Sequence, residues 1–176
     1  MLILEAERIT HPFAPVWNQN SKILILGSLP SVKSRENNFY YGHPRNRFWK
    51  VLAGIFEVSI PETIEEKTDF ILGHQLAIWD VIETCQIQGS SDSSIREVKV
   101  NDLEIVLRQS NIHYIICNGK AAEKFFMKYQ YPEVEIKPIV LPSTSPANAA
   151  YSLERLISVW KPAILNLLND ENSLVS

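Results

Sequence analysis

Cysteine is nearly absent from the 176-residue chain: only Cys85 and Cys117 occur, each inside an apolar stretch. A structural zinc site or an iron–sulfur cluster takes about four ligands, so versions built on cysteine are excluded. A reducing, cytoplasmic compartment is the expectation that follows. No apolar run approaches the roughly 18 residues of a membrane-spanning helix, so no membrane partner is expected. Met1 to Pro15 carries Glu5, Glu7 and Arg8, which does not fit a secretory signal. The histidines His11, His43, His74 and His113 show no metal-ligand spacing. Positive charge is also short, with 17 Lys and Arg against 20 Asp and Glu, a net charge of −3. Taken alone, that balance argues against nucleic acid, because phosphates are met by Lys and Arg.

What is present is unevenly placed. Between Ser31 and Lys50 stand five bases (Lys33, Arg35, Arg45, Arg47 and Lys50) and one acid (Glu36), a local +4 that leaves −7 for the remainder. The same window holds Phe39, Tyr40, Tyr41, Phe48 and Trp49, five of the 17 aromatics. A basic patch interleaved with aromatics signals nucleic acid better than overall charge does. The competing reading is a helix start with a solvated basic face.

Four short apolar runs predict buried strands: Lys22 to Gly27, Leu76 to Ile82, His113 to Asn118 and Ile136 to Leu141. Helical spacing separates them. Asn46 to Phe56 places Phe48, Val51, Leu52, Ile55 and Phe56 on one face. Glu62 to Gln75 begins with an acidic turn, and Asn101 with Glu104 resembles a capping box ahead of Leu103, Val106 and Leu107. Gly119 opens a helix with Ala122, Phe125 and Phe126 inward, and Ser152 to Leu168 is a final amphipathic one. Gln88 to Ser94 reads as a polar loop. The alternation predicts one three-layer α/β/α domain over residues 1–176 with a central four-stranded parallel sheet.

Ligands of such sheets gather beyond the carboxyl ends of the strands. Gly27-Ser28-Leu29-Pro30-Ser31 after the first strand is a turn that can aim N–H groups outward, or simply a tight turn; no Walker lysine follows. Tyr40 to Trp49 is dense in side chains that stack and hydrogen-bond, although Asn46 alone could be a helix cap. Asp80 ends the second strand, where a buried carboxylate needs a partner. Leu141 to Asn148 is a stiff hydroxyl-rich loop between two prolines, or a turn into the last helix.

Together, in this order, these segments resemble the uracil-DNA glycosylase superfamily. Tyr41-Gly-His-Pro-Arg-Asn-Arg-Phe-Trp49 is similar to a segment of the mismatch-specific branch. The sequence departs from that branch at Leu29, where an Asn is usual, and at Pro142 to Pro146, which lacks the usual His. Gly27 to Pro30, Tyr41 to Trp49, Trp79-Asp80-Val81 and Leu141 to Pro146 resemble instead the hypoxanthine-DNA glycosylase branch. The resemblance implies hydrolysis of the N-glycosidic bond of a deaminated base, hypoxanthine before uracil, after the nucleotide is flipped out of DNA. It implies a monomer acting on DNA with no metal, cofactor or covalent nucleophile.

By the same resemblance Asn46 is the catalytic residue that orients water or polarises the base, with Ser28 beside it. Gly27, Leu29, Pro30, Tyr40, Tyr41, Asp80 and Asn118 line the base pocket, one of the tyrosines stacking on the base. Asp80 accepts the N1–H of hypoxanthine or the N3–H of uracil. Arg35, Arg45, Ser143, Thr144 and Ser145 meet DNA, and Pro146 and Ala147 fill the space left by the flipped base. Leu29 keeps one alternative open, a Rossmann-like module that holds a nucleotide or damaged base without cleaving it.

Overall fold

A computed structural model describes residues 7–11, 13–88 and 94–170. The four apolar runs form one parallel sheet. β2 (Ile23–Gly27) is buried along its whole length, because β3 (Leu76–Asp80) and β6 (Tyr114–Asn118) flank it. β7 (Ile139–Leu141) adds the outer strand and completes the order β3-β2-β6-β7. A strand with neighbours on both sides and helices over the sheet has no wet face, hence the unbroken Ile-Leu-Ile-Leu run. Registers pair Gly27 with Asp80 and Asn118 with Leu141, so the strand ends that carry the polar residues fall together.

The helices are those the spacing predicts, with shifted ends. α2 (Phe48–Phe56) packs against α7 (Leu153–Leu168), which Ser152 caps by accepting from the Arg155 N–H at 3.1 Å. α5 (Lys120–Tyr129) lies on β2 and β6. α3 (Ile64–Gly73) lies against β3 and is capped by Thr63, which accepts from the Glu66 N–H, while the Glu66 carboxylate reaches back one residue past the cap to the Glu62 N–H. The short helices α1 (Val32–Asn37) and α6 (Tyr131–Val134) have no counterpart in the sequence reading.

Three features correct that reading. The second apolar run does not continue to Ile82 as one strand. It ends at Asp80, turns at Val81, and Ile82 begins β4 (Ile82–Ile87). β4 pairs antiparallel with β1 (Glu7–Thr10) and β5 (Arg96–Val100), a second sheet whose outer strands are mostly exposed and so carry little hydrophobic signal. Asn101 is no cap for α4 (Glu104–Leu107): its buried amide donates to the Asp80 carbonyl at 2.8 Å, and Asp102 accepts from the Glu104 N–H instead. The polar loop expected at Gln88 to Ser94 lies outside the described residues from 89 to 93. Among the described residues, no helix is long and apolar enough to cross a membrane.

Candidate active site

A cavity of about 1090 Å³ opens where the parallel strands end. Gly27, Ser28, Leu29 and Pro30 form one side of its wall. Tyr40, Tyr41, Asn46, Asp80 and Asn118 line it from the neighbouring segments, and Ser143, Thr144, Ser145 and Ala147 reach it from the last loop. Arg35 lines it as well, whereas Arg45 and Pro146 are exposed outside the lining. Fourteen of the sixteen residues singled out above therefore share one cavity.

Asn46 is both a cap and more than a cap. Its Oδ1 accepts from the Phe48 N–H at 2.9 Å and from the Thr144 hydroxyl at 2.9 Å. A backbone N–H can only donate, so this end of the amide is the oxygen, and Nδ2 is left as a donor. Thr144 is in turn held by Asn118, whose Nδ2 donates to its hydroxyl oxygen at 3.0 Å and whose Oδ1 accepts its N–H at 3.1 Å. The result is a ladder of neutral groups tying the start of α2, the last loop and the end of β6 together. Thr144 is fully buried. It belongs to this ladder and not, as the sequence suggested, to a phosphate. The Ser143 and Ser145 hydroxyls are half-buried and accept from backbone N–H groups of their own loop at 3.1 and 3.2 Å.

A buried hydrogen-bonded pair lies beside the same cavity. His11 Nε2 donates to Asp80 Oδ2 at 2.8 Å, with the two side chains only 3% and 4% exposed. The His11 backbone prolongs the β1–β4 pairing by donating to the Glu83 carbonyl at 2.7 Å, and its ring packs edge-on to Phe13. Asn101, itself fixed by Gln130, clamps the turn behind Asp80. Sequence reasoning missed His11. It follows a short exposed strand and meets its partner 69 residues away, so no local pattern marks it.

The two tyrosines part company. Tyr40 is core: it is 1% exposed, and its hydroxyl donates to the Ala14 carbonyl at 2.9 Å. Tyr41 takes a left-handed backbone (φ 54°) and stacks on Phe48 at 3.9 Å between ring centres, and its buried O–H finds no acceptor among the described residues. Burial, then the charge of Asp80, pushes the Tyr41 phenol well above its ordinary range despite the nearby Asn118 amide, so it stays a protonated donor. A Cβ on Gly27 would come within 2.4 Å of Asp80 Oδ1 and 3.1 Å of the Tyr41 hydroxyl. Glycine is required there because both oxygens crowd the space a side chain would take.

The basic window loses part of its charge to internal bonds. The Arg47 guanidinium donates to the carbonyls of Ser145 (2.8 Å), Asn148 (3.1 Å), Thr144 (3.4 Å) and Tyr151, stitching the last loop to α2. Lys33 pairs with Glu36 at 3.2 Å. Among the described residues, Arg45 and Lys50 are exposed without a salt bridge, and Arg35 Nε is buried without a partner. The aromatics Phe39, Tyr40, Phe48 and Trp49 are buried core rather than a stacking surface.

The comparisons with known proteins agree with this arrangement. A family model described as the uracil DNA glycosylase superfamily matches residues 14–168. A Methanosarcina acetivorans protein named hypoxanthine DNA glycosylase is 34% identical over 84% of this chain and 93% of its own length. A protein of the same name from Methanosarcina barkeri is 31% identical over 86% and 95%. The solution NMR structure of a Methanosarcina acetivorans protein proposed to be a uracil DNA glycosylase superposes with a TM-score of 0.73 at 30% identity, over 88% of this chain and 96% of that one. With the parallel sheet, the cavity at its strand ends and the matched span in agreement, the chain belongs to the uracil DNA glycosylase superfamily.

Proposed function

We propose that the protein is a DNA glycosylase that takes a flipped, deaminated base into this cavity and hydrolyses its N-glycosidic bond, with hypoxanthine the favoured base. The observation that carries the reading is the pairing of a fixed donor with a fixed acceptor in one cavity. Asn46 offers an amide N–H whose orientation is locked by Phe48 and Thr144. Asp80 offers a carboxylate oxygen in the same cavity.

Breaking the glycosidic bond leaves positive charge on the sugar and negative charge on the departing base. A preoriented N–H aimed at the base stabilises that negative charge in the transition state more than in the ground state. Because Oδ1 of Asn46 already accepts two bonds, the residue polarises the base or holds water through the water's lone pair, and removes no proton from it. Asp80 accepts the ring N–H that deamination creates: N1 of adenine is an acceptor, N1 of hypoxanthine a donor. Leu29, at the position where an Asn is usual, is offset by Asn46 on the facing segment. The phosphates are assigned to Arg35, Arg45 and the Ser143 and Ser145 hydroxyls, and the space left by the base to Pro146 and Ala147, which stand exposed at the loop tip.

The test is alkali cleavage of labelled duplexes carrying hypoxanthine, uracil or xanthine, run in EDTA. Strand scission at hypoxanthine, fastest of the three, is expected. Retention of the labelled DNA without abasic sites would instead identify a binding module.

A further inference from the structure

Among the described residues nothing pairs with the buried His11 Nδ1 and nothing accepts the O–H of the buried Tyr41, and both residues lie beside or bonded to Asp80. Native structures seldom leave such atoms unpaired, since burying them away from water is costly, and those that persist call for an explanation. The Tyr41 hydroxyl is the informative one. It and Asp80 Oδ1 converge on the space beside Gly27, where a Cβ would lie 3.1 Å from the first and 2.4 Å from the second. All three residues line the cavity. A protonated phenol and a carboxylate oxygen side by side present one donor and one acceptor.

That pair is the complement of a lactam edge, a ring N–H next to a carbonyl. Hypoxanthine carries it at N1 and C6, uracil at N3 with a flanking carbonyl. Adenine presents the reverse, a ring acceptor beside an amino donor, and is mismatched at both points. We infer that Asp80 Oδ1 and the Tyr41 hydroxyl together read the lactam, the carboxylate taking the ring N–H and the phenol donating to the carbonyl. His11 is the positioning residue. By holding Oδ2 at 2.8 Å it fixes the carboxylate's rotation and leaves Oδ1 as the single oxygen free for the base.

His11 has a second effect on the same oxygen. A full carboxylate charge against a base that is becoming anionic would oppose bond cleavage. The imidazole N–H draws charge toward Oδ2, so Oδ1 can accept the ring N–H with less repulsion of the departing base. The His11 ring is held for this by its backbone bond to Glu83 and by the rings of Phe13, edge-on, and Tyr40, tilted against it. The inference rests on the glycosylase reading and adds to it which atoms recognise the base.

The test is direct binding of free bases to the full chain, followed by NMR titration. Free purine has the rings of hypoxanthine but neither the N–H nor the carbonyl. The parent protein should bind hypoxanthine at least tenfold more tightly than purine. Tyr41→Phe, which removes one oxygen, should cut that preference threefold or more, and His11→Ala should do the same. His11→Gln, which keeps an N–H for Oδ2 and the volume of the ring, should retain the preference within about twofold, a rescue that simple loss of packing would not show. Equal binding of the two bases by the parent overturns the inference, as does an unchanged preference in Tyr41→Phe and His11→Ala. If the parent excises hypoxanthine from DNA yet shows no preference, only the lactam reader fails; if it excises nothing, the glycosylase reading falls and the inference with it.

Discussion

In one part of the cavity wall Asn46, Thr144 and Asn118 bond to one another, whereas in another the His11–Asp80 pair stands beside a buried phenol whose O–H no described residue accepts. The first wall is neutral and has its oxygens paired, with the Asn46 Nδ2 donor left open. The second is charged and incomplete. A finished network rigidifies what it joins, here the start of α2, the end of β6 and the last loop. An unfinished one is a place kept for a molecule that brings the missing partners. The difference separates the labour of the site: the ladder holds the catalytic donor still, and the charged wall identifies what has entered.

The comparison is broken most directly at Asn46. Asn46→Asp keeps an oxygen for the Phe48 N–H but removes the donor, so excision should fall by about 10²–10³, the usual loss of a transition-state donor. Thermal melting should barely move. A variant that unfolds in step with its activity would make Asn46 a cap worth about 1 kcal/mol and nothing more. A smaller effect is expected at Arg47. Arg47→Ala removes the guanidinium shared by four carbonyls, of which those of Thr144, Ser145 and Asn148 keep a backbone N–H, and should cost about 2–3 kcal/mol in urea unfolding, with new protease cleavage between Pro142 and Tyr151.

Thr144→Val sharpens the contrast by removing one rung at constant shape. The Asn118 amide is left without its acceptor, at a cost of about 1–2 kcal/mol of stability. Excision should slow by roughly tenfold, since Phe48 still orients Asn46. The smallest effect concerns neither wall but the rim. Arg45→Ala should flatten the log–log dependence of DNA affinity on salt by about 0.9 if the residue meets a phosphate, and should leave base preference untouched. Lys124→Ala, on α5, should leave the slope as it is. Equal effects of the two would reduce the basic window to a solvated face.

The parallel sheet was legible because strands buried on both faces must be apolar throughout, and a run such as Ile23 to Leu26 admits few other readings. The antiparallel sheet was not. β1 buries only Ile9 of its four residues, and β4 follows β3 after a single turn residue, so neither composition nor punctuation marks it. Asn46 and Asp80 could be singled out from their place at strand ends and from resemblance. Their partners could not: Thr144 lies 98 residues from Asn46 and His11 lies 69 from Asp80, contacts made by topology rather than local pattern. Asn101 misled for the same reason, its spacing from Glu104 fitting a cap while its amide serves a carbonyl 21 residues back. Local rules find the elements and the strand-end residues, and long-range bonds decide what those residues do.

The stitching of the last loop by Arg47 bears on how such a protein would spend its time. An enzyme that looks for rare lesions meets intact base pairs in nearly every encounter. Were the loop to order afresh each time, every inspection would lose roughly 1–2 kcal/mol of backbone entropy for each residue fixed. With one guanidinium holding four of its carbonyls, the loop is set once, when the chain folds. Each visit to the duplex then presents the same hard edge, and how long the visit lasts is governed by how readily that base pair opens.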